Sequence, residues 1–125
     1  MQEYEHRALE IQGSATGIYI AYPTSPVLKP TYHGHKTLVN NEHTKIGITI
    51  SSFVTRENEY MRTFSGELAF IPLVAAPLHV LAELEARLLM ELRRRYSPSG
   101  SAREWFHTTE RQAIAQLVWS VTGAA

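Results

Sequence analysis

The chain reads as a small α/β (α+β) domain, a mostly antiparallel three-stranded sheet flanked by helices, and three observations predict it. The runs 16 to 22, 44 to 50 and 67 to 76 are rich in β-branched and aromatic residues and have strand length. The segment from Leu78 to Tyr96 repeats its leucines at helical spacing, and a second amphipathic stretch begins after Ser52. With 125 residues and 44% hydrophobic content, the chain can fill one core and is too short for two, so residues 1 to 125 form a single domain.

Taken in order, residues 1 to 15 give weak signals. Leu9 and Ile11 alternate with polar neighbours, which suits an N-terminal extension, either a short edge strand or a packed arm. The first clear strand follows and ends at Pro23; alternation puts Ile18 and Ile20 on one face and Tyr19 on the other. Residues 23 to 43 hold three prolines, Gly34, two adjacent asparagines and three histidines, an insertion loop by composition. In the strand from Thr44 to Ile50, Ile46, Ile48 and Ile50 share a face opposite Lys45, Gly47 and Thr49. Gly47 in a strand interior implies a close approach or a bulge.

Ser51 or Ser52 can cap a helix whose Phe53, Tyr60, Met61 and Phe64 recur at helical spacing. Arg56 and Tyr60 lie one turn apart on it and point the same way, and Ser65 and Gly66 end it. The apolar run from Glu67 to Ala76 is a third strand, which Pro72 assigns to a sheet edge or a bulge. In the long helix Leu78, Leu81, Leu88, Leu89 and Leu92 share a face, and Glu83, Arg87, Glu91 and Arg94 lie opposite. Arg93, Arg94 and Arg95 meet the negative end of its dipole. Ser97 to Ser101 is a turn, Trp105 and Phe106 close the core beneath the sheet, and Thr109 and Gln112 stand at capping-box spacing. The last helix packs through Ala113, Ile114, Leu117, Val118 and Val121.

Twelve basic and twelve acidic residues give zero formal charge, so any attraction to nucleic acid must come from a local patch. No cysteine is present, which excludes a disulfide framework and thiolate metal sites. No apolar stretch approaches membrane-spanning length, and the polar start lacks a leader pattern; a cytoplasmic protein with no membrane association is expected.

One residue breaks the pattern. Glu85 falls within the leucine face of its helix, where an ionised carboxylate costs several kcal/mol, on the order given for unpaired buried charge, unless a cation or donors meet it. It is either the ion partner of a core-edge arginine such as Arg56 or a metal ligand or acid/base group in a cleft.

Gly17-Ile18-Tyr19 on a strand, an insertion, Lys45-Ile46-Gly47 on a strand, Arg56 and Tyr60 on a helix, a third strand and then Glu85 on a helix is an order that resembles the GIY-YIG nuclease superfamily, over residues 16 to 106. The resemblance implies a metal-dependent endonuclease that hydrolyses phosphodiester bonds in DNA, single- or double-stranded, acting alone or as a homo-oligomer. It implies a catalytic set of Tyr19, Lys45, Arg56 and Glu85, with Tyr60 where members often carry a histidine or tyrosine one turn after the arginine. Glu85 would hold one Mg²⁺ or Mn²⁺ ion and Arg56 would neutralise phosphate oxygens. Tyr19 would orient or deprotonate the attacking water, with Lys45 as the cation that lowers its pKa from about 10. Lys45 itself could orient or deprotonate water, or neutralise phosphate. Arg62, Arg93, His33 and His35 complete the expected nucleic-acid contacts.

Three departures qualify the likeness. Lys45 stands where many members have tyrosine, as in a phage-type branch that also carries a Glu-Trp-Phe triplet, here Glu104-Trp105-Phe106. The connection from residue 20 to 44 is long. The asparagine that many members carry after the glutamate helix is missing, and Glu104 and Trp105 stand at its place. The alternative is an inactive nucleic-acid-binding module or a regulatory subunit. Arg56 together with Glu85 favours the enzyme, since a binding module has no use for a carboxylate on an apolar face.

Overall fold

A computed structural model describes residues 1–31, 37–99 and 102–124, with Ala102 and Arg103 described in their backbone alone. In chain order the elements are α1 (Glu3–Ala8), β1 (Gly17–Pro23), β2 (Lys29–Pro30), β3 (Leu38–Val39), β4 (Thr44–Ile48), α2 (Phe53–Thr63), β5 (Leu68–Ala75), α3 (Leu78–Arg95), β6 (Pro98–Ser99), β7 (Ala102–Phe106) and α4 (Arg111–Thr122). Mixed α+β architecture is as expected, and β1, β4 and β5 are the three strands read from the sequence. The main sheet is larger than that reading: five antiparallel strands in the order β5-β1-β4-β7-β6. The turn composition of residues 97 to 101 hid β6, and the short run holding Trp105 and Phe106 is β7. These two aromatics do not both lie beneath the sheet, because neighbouring strand residues point to opposite faces. Trp105 joins the core on one side and Phe106 the core on the other.

Alternation divides the strands as expected up to Ile48, where β4 ends; Ile50, expected on the Ile46 face, lies beyond the strand and is exposed. Ile18, Ile20 and Ile46 face α1, α3 and α4 in a mostly aliphatic core with Leu81, Leu88, Leu92 and Val118. Tyr19 and Ala21 face α2 in a mostly aromatic core with Phe53, Tyr60, Phe64 and Phe70. Pro72 lies on the edge strand β5, where its missing N–H costs no ladder bond. A bulge lies beside it: the register passes from Ile18 opposite Val74 to Tyr19 opposite Pro72, leaving out Leu73. Leu73 is buried, and its carbonyl accepts a 2.9 Å hydrogen bond from Trp119 Nε1 on α4.

Four local expectations are corrected. Of the two readings of the N-terminal segment, the packed arm holds and the edge strand does not, and the arm is helical: the Glu5 side chain accepts from the Gln2 N–H, Tyr4 is buried, and the Arg7 guanidinium lies 3.7 Å over the Trp119 ring. The insertion, read as loop, contains the small β2–β3 sheet, tied back by a Lys29–Glu67 ion pair and by buried Val39. Leu78, in the first turn of α3, is exposed, so the packed leucine face begins at Leu81. The Thr109–Gln112 capping box does not form. Glu110 is the N-cap, and Gln112 Oε1 accepts from the Tyr4 N–H, so tertiary contact with α1 has claimed the side chain. Among the described residues no helix is long and apolar enough to cross a membrane.

Candidate active site

Two glycines let the aromatic face close. A Cβ on Gly17 would stand 2.0 Å from the Val74 carbonyl oxygen and 2.7 Å from Phe53 Cζ, so only glycine allows β5 and the first turn of α2 to pack against β1 there. Gly47 lies opposite Tyr19 in the β1–β4 ladder, and a Cβ on it would fall 2.6 Å from the Tyr19 hydroxyl oxygen. The close approach expected at Gly47 is therefore that of a tyrosine ring crossing the neighbouring strand. That ring stacks on Phe70 at 4.4 Å between centroids, and its hydroxyl donates to the Tyr60 hydroxyl at 3.2 Å.

Helix α2 is fixed at its start by the Ser52 side chain, which accepts from the Thr55 N–H, and by the Phe53 and Val54 N–H groups bonding the Ala15 and Gly13 carbonyls. Helical period then brings Arg56 and Tyr60 to one side. The β4–β7 ladder pairs Lys45 with Trp105 and so brings Glu104 within 2.9 Å of the Lys45 ammonium. Glu85 arrives from α3.

All five expected catalytic residues, Tyr19, Lys45, Arg56, Tyr60 and Glu85, line one cavity of about 200 Å³, and Glu104 lines it with them. Ile48 and Ile50 form its rim at the end of β4. Arg62 and Arg93 are exposed and lie outside the cavity walls. His33 and His35 lie outside the described residues.

The electrostatics correct one pairing. Lys45 sits opposite Ala21, not Tyr19, and its ammonium is 5.2 Å from the centre of the Tyr60 ring. The cation that acts on Tyr19 is Arg56. Burial and the Tyr60 hydroxyl hold the Tyr19 phenol well above its ordinary pKa, with Arg56 pulling the other way. Burial acts to lower the Lys45 pKa, but Tyr60 and Glu104 outweigh it and leave the ammonium more firmly protonated than usual.

Glu85 is half-buried, and its pKa is raised by burial and by the Glu104 carboxylate, against the opposing pull of Lys45 and Arg56. The simple Arg56–Glu85 ion pair is not what forms: Arg56 pairs with Glu59 at 3.1 Å, and among the described residues Glu85 makes no ion pair. A carboxylate left short of positive charge in this way fits a hard divalent cation. Mg²⁺ takes one or two carboxylates and keeps water on its remaining positions. Among the described residues no three metal-ligating side chains cluster, so the fit is to a largely hydrated ion held by Glu85, not to an all-protein cage.

Sequence reasoning missed Glu104 as a site residue. Its signal was a lone acid directly before two aromatics that both become buried. Compared with protein-family models, with curated proteins and with solved structures, the chain matches none of them.

Proposed function

We propose that the protein is a metal-dependent endonuclease that hydrolyses phosphodiester bonds in DNA. One observation carries the reading: a carboxylate that makes no ion pair among the described residues, two cations and two phenols, drawn from β1, β4, α2 and α3, meet in one cavity. A structural core needs no such set, and a cavity of about 200 Å³ suits a phosphodiester group better than a larger metabolite.

Hydrolysis adds water to an anion, so the site must neutralise non-bridging oxygens, stabilise the leaving oxygen and hold the water in line. Arg56 from α2 and Lys45 from β4 supply the first requirement. Glu85 would hold a divalent ion, which would supply Lewis-acid stabilisation of the leaving oxygen. Tyr19, kept protonated by burial and bonded to Tyr60, orients the attacking water by hydrogen bonding and does not take its proton at neutral pH. The exposed Arg62 and Arg93 extend the phosphate contacts beyond the cavity.

The test is a cleavage assay on single- and double-stranded DNA with Mg²⁺, with Mn²⁺ and with chelator. Cleavage that depends on the metal is expected. DNA binding without cleavage under every condition would instead assign the fold to a nucleic-acid-binding module.

A further inference from the structure

We propose that Glu104 is a positioning residue of this site: it anchors the Lys45 ammonium against Tyr60, so that Lys45 meets the substrate phosphate as a fixed cation and does not serve as a proton acceptor. The inference rests on the nuclease reading and chooses between the two roles a lysine could play there.

The anchor is built into the sheet. Trp105 is 2% exposed and is paired with Lys45 across the β4–β7 ladder, so the backbone beside it cannot drift and Glu104 is held in reach. The Lys45 side chain is only 12% exposed, while Glu104, at 39%, reaches in from the solvent edge. The 2.9 Å contact therefore differs from a loose surface pair, in which two long side chains must be immobilised for little gain. The Tyr60 ring completes the seat on the other side, at a distance that favours a cation over an aromatic face.

Among the described residues, the remaining charged or titratable groups around the cavity are Tyr19 of β1, Arg56 of α2 and Glu85 of α3. None of them forms an ion pair with Lys45 among the described residues. A lysine that is to accept a proton must first be neutral, which burial promotes and a contacting carboxylate opposes. Here the carboxylate is in contact. Without Glu104 the buried ammonium would keep, among the described residues, the Tyr60 contacts, and its geometry and charge would both loosen.

The experiment compares single-turnover cleavage against pH for wild type, Glu104→Gln, Glu104→Asp, Lys45→Arg and Lys45→Met, with circular dichroism to confirm folding. In parallel, the ¹H–¹⁵N signal of the Lys45 ammonium is recorded on the free protein. Glu104→Gln should slow cleavage on the order of tenfold to a hundredfold, as misplacement of a reacting group does. It should also bring the alkaline loss of activity to lower pH and abolish the ammonium signal. Glu104→Asp should recover part of the rate, and Lys45→Arg should stay well above Lys45→Met, because arginine can be a cation but not a base. A Lys45→Arg rate as low as Lys45→Met, or a wild-type rate and pH profile in folded Glu104→Gln, overturns the proposal and leaves the nuclease reading standing. Absence of wild-type cleavage overturns the nuclease reading and the proposal with it, a result the wild-type arm shows by itself.

Discussion

The two faces of the main sheet are made from alternate residues of the same strands, and they differ in chemistry. Toward α1, α3 and α4 the sheet presents Ile18, Ile20 and Ile46, which pack on leucines and valine with few polar atoms. Toward α2 it presents Tyr19, Lys45 and Gly47, which meet Arg56, Tyr60 and Phe70. One face gains free energy by burying aliphatic surface. The other buries two phenols, which bond each other, and an ammonium, which is met by the Glu104 carboxylate and the Tyr60 ring. A strand can thus serve stability and chemistry at once, because its side chains alternate. Glu85 crosses this division: it grows from a helix whose leucines belong to the aliphatic face and reaches the cavity of the other.

The largest effect should come from the residue that crosses. Glu85→Gln should reduce metal-dependent cleavage by roughly 10³-fold, about 4 kcal/mol in the barrier, while DNA binding persists. Full activity in magnesium would remove Glu85 from the site. The same variant has a stability signature. The folded Glu85 pKa lies above the ordinary 4.5, so its contribution to stability is present in acid and is lost as pH rises through the folded value. Thermal unfolding should show Glu85→Gln gaining on wild type over that window. A constant difference across pH would mean that the carboxylate is not strained.

Leu88→Ala should separate the faces most cleanly. Leu88 is fully buried in the aliphatic core, and truncation there costs about 2–5 kcal/mol. Urea denaturation should report that loss, while cleavage per folded molecule stays near wild type. A drop in specific activity as large as the drop in stability would mean that the two faces are coupled more tightly than the packing indicates.

Gly47→Ala attacks the chemical face instead. The added Cβ displaces the Tyr19 ring, an overpacking that costs about 1–3 kcal/mol and misplaces the tyrosine for catalysis. Both stability and activity should fall, with activity falling further. Tyr19→Phe should be milder in stability, about 0.5–1.5 kcal/mol for its single hydrogen bond to Tyr60, yet should slow cleavage far more than it weakens binding. Wild-type cleavage in Tyr19→Phe would leave the ring only a packing role.

The smallest effect concerns salt. With zero formal charge and phosphate contacts limited to Lys45, Arg56, Arg62 and Arg93, affinity for double-stranded DNA should fall with a log–log salt slope of roughly −3 to −4. A much steeper slope would point to a homo-oligomer that pools the basic residues of several chains.

Much of this was legible in the sequence, because it depends on short-range rules. The three central strands follow from residue type and alternation, and α2 and α3 from helical spacing. Pro72 announced an edge or a bulge, and the structure has both; Glu85 stood out against its leucines. What only the tertiary structure decided depends on partners far away in the chain. β7 is a strand because Thr44 and Lys45 pair with its Phe106 and Trp105, and β6 because Pro98 and Ser99 pair in turn with Phe106 and Ala102 of β7. α1 docks because Trp119 and Gln112 receive Arg7 and Tyr4. Lys45 belongs with Glu104 and Tyr60, and not with Tyr19, because the β1–β4 register sets it opposite Ala21. Periodicity tells each side chain which way to face; register and docking, set by long-range burial, decide what it meets there.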